Sequence, residues 1–180
     1  SNWSPRCIWI CAIFFEEFLN HKTVGIEQIS EKNLNAFRPL LAEIKHNGSV
    51  TILLPLGECH LSRLAPNKPI LFIAGGTGFA PIKAMIEQLL ADGEPRAFEL
   101  FWGARAQSDL YMDDIVTQWQ NHVPHFQYFS QLSETSTETL ASMVLARHEQ
   151  DINHWQIVIS GPFDMVYSTR DHLIAKGPPP

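Results

Sequence analysis

Gly75, Gly76 and Gly78 stand at the end of an apolar run, Ile70-Leu71-Phe72-Ile73-Ala74, and just ahead of a helix-forming stretch that opens near Ala80. Residues of these types in this order make a cradle for phosphate. Glycine tolerates positive φ and has no Cβ, so the chain can turn sharply and bring its N–H groups within hydrogen-bonding distance of a diphosphate. The helix that follows leaves its first N–H groups unpaired and concentrates partial positive charge at its start, which suits an anion. Pro81 fits the first helical turn, where a missing N–H costs nothing. The common G-x-G-x-x-G spacing is not met, because Pro81 stands where the third glycine would be. A tight turn that binds nothing is the competing reading.

Two further segments end in the same manner. Phe98-Glu99-Leu100-Phe101-Trp102-Gly103-Ala104-Arg105 reads as a buried strand closing on a glycine and a cation, and Gln156-Ile157-Val158-Ile159-Ser160-Gly161-Pro162-Phe163 as another closing on Ser-Gly-Pro. Positioning these turns requires alternating strands and helices, and the pattern after Lys68 supplies them. Strands read as 70–74, 98–102, 126–130 and 156–160, and helices as 80–91, 111–121, 137–148 and 163–175. Asp92-Gly93 closes the first helix and Lys176-Gly177 the last, where three prolines follow. Right-handed crossovers then give an open, doubly wound parallel sheet with its ligand crevice outside the strand ends.

The ordered set A-G-G-T-G-F-A-P, W-G-A-R with D-L-Y shortly after, and S-G-P-F-D-M resembles the nucleotide-binding half of the ferredoxin-NADP reductase superfamily. Within it, the likeness is to NAD(P)H-flavin reductases and to the reductase components that feed electrons to oxygenases. It runs from about residue 50 to about residue 176. It implies an NAD(P)-binding domain over residues 66–180, preceded over residues 1–65 by an incomplete flavin-binding β-barrel. Val50 to Gly57 would be the last barrel strand and Ala65-Pro66-Asn67-Lys68 the linker. The Arg-x-Tyr/Phe-Ser turn that grips flavin in the family is missing: Arg38-Pro39 has no serine after it, and Ser4-Pro5-Arg6 has the wrong order. Family members also continue with a further strand and a terminal aromatic, so the chain ending at Pro180 is expected to be truncated there.

The resemblance implies that a nicotinamide dinucleotide lies across the strand ends with its pyrophosphate on Gly76, Thr77 and Gly78. The Thr77 hydroxyl either joins a phosphate or caps the helix. Arg105 reaches the adenosine ribose or a 2'-phosphate, or is a solvated surface arginine. Tyr111 stacks on adenine or packs into the helix start. The end of the second strand carries Arg105 and no carboxylate, which favours tolerance of NADPH and leaves NADH open. Ser160, with Gly161 and Pro162, is the expected place of hydride transfer. Ser160 has no neighbouring base in sequence that would make it a nucleophile. Phe163 and Met165 line that pocket or pack in the core. The implied activity is hydride transfer from NAD(P)H to FAD or FMN, with an electron-acceptor protein as a further partner; the alternative is a non-catalytic nucleotide-binding remnant of such a reductase.

Composition narrows the field. A chain of 180 residues, 45% hydrophobic, can bury one full core and part of a second. A net charge of -6 disfavours nucleic acid and anionic membrane as partners. Cys7, Cys11 and Cys59 match neither zinc nor iron-sulfur spacing, and a reducing cytoplasm is expected. The apolar run from Cys7 to Phe15 is too short to span a bilayer and reads as a buried strand. His122 and His125 flank Pro124 without helical ligand spacing, so no metal site is expected.

Overall fold

Residues 70–75, 98–104 and 156–161 are buried at every position. This is the signature of strands covered on both faces, and the chain builds a parallel sheet from them. A computed structural model describes residues 8–12, 42, 46, 47 and 60–176. The segment around Arg38, the strand expected at Val50 to Gly57 and the prolines after Gly177 lie outside those residues. The chain divides into two compact units, one of Ser1–Ala12 with Glu58–Pro180 and one of Ile13–Gly57. Of the second unit, residues 42, 46 and 47 are described; they are helical and exposed.

In the first unit the strands are β1 (Ile8–Ala12), β2 (Ile70–Gly75), β3 (Phe98–Ala104), β4 (Phe126–Leu132) and β5 (Gln156–Gly161). The helices are α1 (Phe79–Ala91), α2 (Asp113–His122), α3 (Leu140–His148) and α4 (Phe163–Lys176). The five strands lie in the order β1-β5-β2-β3-β4, and every pairing is parallel. Alternate side chains go to opposite faces. Ile70, Phe72, Phe98, Leu100, Trp102 and Val158 pack with α1 and Val116 of α2. Leu71, Ile73, Phe101, Ile157 and Ile159 pack with α3 and α4. The doubly wound α/β architecture expected from sequence is therefore the one observed.

Differences are local. The strands run one or two residues further than their apolar cores, because parallel neighbours continue the ladder to Gly75↔Gly103 and Ala104↔Leu132. Helix α3 starts at Leu140 rather than 137, since Thr139 is its N-cap and its hydroxyl accepts the Ser142 N–H at 3.1 Å. The apolar run after Arg6 does form a strand, and it pairs with β5 from Ile8↔Ile157 to Ala12↔Gly161. It thus joins the sheet that the sequence reading began only at residue 66. The pairing covers an edge that β5, apolar and fully buried, would otherwise leave open.

The amino-terminal edge of the sheet is closed by polar side chains. Gln156 accepts the Ala65 N–H at 2.6 Å and donates to the Ala65 carbonyl at 2.9 Å, so the linker is tied to the start of β5. Near it, Glu99 on β3 receives Arg147 Nε at 2.9 Å and His148 Nε2 at 3.0 Å, while His148 Nδ1 meets Asp151 at 3.0 Å. An imidazole held between two carboxylates at both nitrogens is bonded as an imidazolium. Burial opposes its charge, but the hydrogen bonds it donates to Glu99 and Asp151 outweigh that and raise the His148 pKa. Burial likewise works against the Glu99 carboxylate, and His148 and Arg147 overcome it, holding its pKa below the ordinary value.

Candidate functional site

Because all strands are parallel, their carboxyl ends share one edge, and the turns after β2, β3, β4 and β5 meet there. From β2 the chain winds outward through α1 to β3 and then β4; from β4 it crosses back through α3 to β5, on the other side of β2. The winding direction reverses between β2 and β5, and there the strand-end loops diverge to leave a ligand crevice.

The glycines of this edge have different jobs. Gly76 alone of the Gly75–Gly78 group has positive φ, at 52°, and nothing lies within 4 Å of where its Cβ would be. That side is open for a ligand to approach the backbone. Gly75 is extended (φ -114°), and a Cβ there would run into Met165. Gly78 is helical (φ -58°), and its Cβ would lie 2.5 Å from the Ser160 carbonyl carbon and 2.6 Å from Gly161 Cα. Two of the three glycines thus serve close packing of the β2 and β5 turns, and one serves the open cradle. Gly161 has φ 153°, with Gly75 Cα and N each 3.1 Å from its Cβ position, so the approach of the two turns is tight from both sides.

Trp102, to which the sequence reading assigned no role, fixes the cradle from below. Its Nε1 donates to the Gly76 carbonyl at 3.0 Å, and its ring stacks on Phe79 at 4.0 Å between centroids. A buried indole N–H needs an acceptor, which was the signal available in the sequence. Tyr111 is half-buried and meets Trp102 edge-on at 5.4 Å and Phe79 at 6.1 Å. Burial pushes its hydroxyl pKa up to about 12. Thr77 is exposed, and α1 has Gly78 at its N-cap with no side-chain cap, so helix capping is not its role.

Arg105 is exposed at the end of β3, but it is not a lone cation. Its Nε donates to Glu134 Oε1 at 2.9 Å. The carboxylate that was missing from the end of β3 is therefore brought there from beyond the end of β4, 29 residues away in sequence. Asp113 steadies the neighbouring loop by accepting from Gln107 at 3.0 Å and from the Tyr128 hydroxyl at 2.6 Å.

On the other side of the crevice, Ser160 is wholly buried, and its Oγ has no hydrogen-bond partner among the described residues. Pro162 is exposed, Phe163 stacks on Tyr167 at 5.8 Å, and half-buried Met165 packs over the junction of Gly75 and Gly161. His122 bonds the Gln118 carbonyl at 2.7 Å and His125 packs edge-on against Phe98 at 5.6 Å. Among the described residues, no group of His, Cys, Asp and Glu could hold a metal ion, and no helix is long and apolar enough to cross a membrane.

An open backbone turn at Gly76 beside a helix start fits the phosphates of a dinucleotide. Residues 72–171 match the family described as Oxidoreductase NAD-binding domain. The chain is 33% identical over 98 residues to reductase component 1 of terephthalate 1,2-dioxygenase from Comamonas sp, covering 54% of this chain and 29% of that one. It is 22% identical over 155 residues to the NAD(P)H-flavin reductase of Vibrio harveyi, covering 83% of this chain and 65% of that one. It therefore spans only part of the length of these relatives. Among solved structures, ferredoxin-NADP+ reductase from Plasmodium falciparum superposes with a TM-score of 0.55 at 15% identity, covering 73% of this chain and 53% of that one. The cytochrome P450 reductase of Amycolatopsis gives 0.57 at 22% identity, covering 68% and 39%. At such identity these likenesses speak for the fold. Together with the family match they bear out the resemblance read from the turns.

Proposed function

The chain belongs to the Oxidoreductase NAD-binding domain family, and from that footing we propose that its strand-end crevice binds NAD(P)H and serves hydride transfer to a flavin, FAD or FMN. The observation that carries this is the turn at Gly76, with positive φ, an open side and a pinned carbonyl, at the point where the winding reverses. When bound, NAD(P)H supplies the hydride and a flavin accepts it. The chain's own part is to bind, orient and exclude water. Backbone N–H groups of Gly76, Thr77 and Gly78 hold the pyrophosphate, helped by the start of α1 and the Thr77 hydroxyl. Arg105 and Tyr111 serve the adenosine end, with Tyr111 braced by Trp102 and Phe79.

At the nicotinamide end, Ser160 acts by position. It is buried at the start of the turn that Gly161 and Pro162 complete, and its backbone packs closely against Gly78, which has no Cβ. Phe163 and Met165 wall that end. Relatives named as reductase components of oxygenases support an electron-accepting protein as partner. A cytoplasmic setting agrees with three cysteines that cannot all pair and match neither zinc nor iron-sulfur spacing.

The test follows NADH and NADPH absorbance anaerobically with excess FMN, FAD or riboflavin. Oxidation above the protein-free rate is expected, and slow, because a freely supplied flavin lacks the orientation of a held one. Measurable dinucleotide binding with no rate above the control would make the chain a non-catalytic nucleotide-binding module instead.

A further inference from the structure

The loops that follow β3 and β4 are joined beyond the regular ladder. Ser133 N–H donates to the Ala104 carbonyl at 3.0 Å and Glu134 N–H to the Arg105 carbonyl at 3.1 Å. The side chains complete the same ring, Arg105 Nε to Glu134 Oε1 at 2.9 Å. With the two side chains 67% and 47% exposed, this ion pair contributes little to folding. Its place is what matters. It stands at the end of the strand next to the glycine turn. In doubly wound folds a carboxylate at that point holds the ribose hydroxyls of NAD, and an arginine there takes the 2'-phosphate of NADP.

This chain brings both groups to the one spot, and each engages the other. A 2'-phosphate arriving there would have to displace the Glu134 carboxylate from Arg105 and then remain beside it, so repulsion offsets the attraction. An unphosphorylated ribose meets no such conflict, and the second Glu134 oxygen can accept from its hydroxyls. We propose that Glu134 is the specificity-determining residue of the dinucleotide site, and that by holding Arg105 it selects NADH over NADPH. This rests on reading the strand-end crevice as the dinucleotide site. It differs from what Arg105 suggests in sequence, where no acid stands beside it.

The test is calorimetric titration of the whole chain with NADH, NADPH, AMP and 2'-phospho-AMP, for the wild type, Glu134→Gln, Arg105→Ala and the double variant. The wild type is expected to prefer NADH. Glu134→Gln keeps the shape, frees Arg105, and should tighten NADPH and 2'-phospho-AMP roughly tenfold, as expected for a released charge-assisted contact, while NADH and AMP are not tightened. Adding Arg105→Ala should abolish that gain. Both residues are exposed, so thermal midpoints should stay in place. If the wild type binds NADH while Glu134→Gln leaves the NADH-to-NADPH ratio unchanged, Glu134 is not the selector, though the site reading survives. If the wild type binds neither dinucleotide, both fall together.

Discussion

The two edges of the sheet are built on opposite terms. At the amino-terminal edge Glu99, Arg147, His148, Asp151 and Gln156 bond one another or the chain, and Glu99 and His148 are only 7% and 5% exposed. At the carboxyl-terminal edge a glycine is open to solvent, a buried serine hydroxyl has no partner among the described residues and an arginine is held by a replaceable surface carboxylate. Both edges hang on the same strands, so what differs is that one carries a buried, bonded side-chain network and the other an open turn; Arg96 Nε, beside the first, also has no hydrogen-bond partner among the described residues. A bonded network stiffens the sheet, while an open backbone turn and an exposed arginine can be reached by a ligand. Damage at the first edge should therefore appear as lost stability, and damage at the second as lost binding.

The largest effect that would break this contrast is at Glu99. Glu99→Ala strands the buried His148 charge and loosens Arg147; removing one member of a buried ion pair costs about 3–5 kcal/mol, and the partial exposure of Arg147 favours the lower figure. Urea unfolding should show that loss, with dinucleotide affinity unchanged in the folded fraction. Weakened binding at unchanged stability would erase the division between the edges.

Next in size is a pair of glycine substitutions. Gly76→Val puts a β-branched residue at φ 52° and fills the open side of the cradle, so dinucleotide affinity should fall at least tenfold, about 1.4 kcal/mol. Equal affinity by titration would remove this turn from the site. Gly78→Ala drives a Cβ into the Ser160–Gly161 backbone and should lower the thermal midpoint first. Neighbouring glycines would then separate binding from packing.

A pH series sharpens the comparison further. His148 has a raised pKa, so its contribution is full below its ordinary 6.5 and fades as pH rises through the raised value. Glu99 has a lowered pKa; its contribution is full above its ordinary 4.5 and fades as pH falls through the lowered value. Both operate together between pH 4.5 and 6.5. The midpoint difference between wild type and His148→Gln should be greatest in that window and shrink on either side. A difference independent of pH would mean the imidazole is not charged.

The smallest expected effect is that of Trp102→Phe. It keeps an aromatic against Phe79 but removes the bond to the Gly76 carbonyl, a net contribution of about 1 kcal/mol to folding, and dinucleotide affinity should fall by at most roughly fivefold as the turn loosens. Wild-type affinity in this variant would show that the cradle holds its shape unaided.

Much of this fold is written in short-range pattern. The apolar runs at 70–74, 98–102 and 156–160 announce buried strands, and glycine or proline after each marks a turn, because burial and φ restriction act on a few adjacent residues. Helix α1 begins within a residue of its expected start for the same reason. Limits show where elements depend on neighbours: β4 reaches Leu132 only because β3 runs beside it to Ala104. The strand after Arg6 reads correctly as a strand, yet nothing near it in sequence names β5 as its partner.

The chain by itself determined that phosphate could be cradled at Gly75–Gly78, since glycine's conformational freedom and the helix start are local properties. It also determined the alternation that makes a parallel sheet, because hydrophobic periodicity is local too. Only the tertiary structure decided that Gly76 opens outward while Gly75 and Gly78 pack, that Trp102 grips the Gly76 carbonyl, and that Glu134 reaches Arg105. It likewise joined Glu99 to His148 across 49 residues. The reason is that hydrogen bonds and ion pairs depend on distances of about 3 Å, set by strand register and helix docking, and these arise only when the whole sheet is assembled.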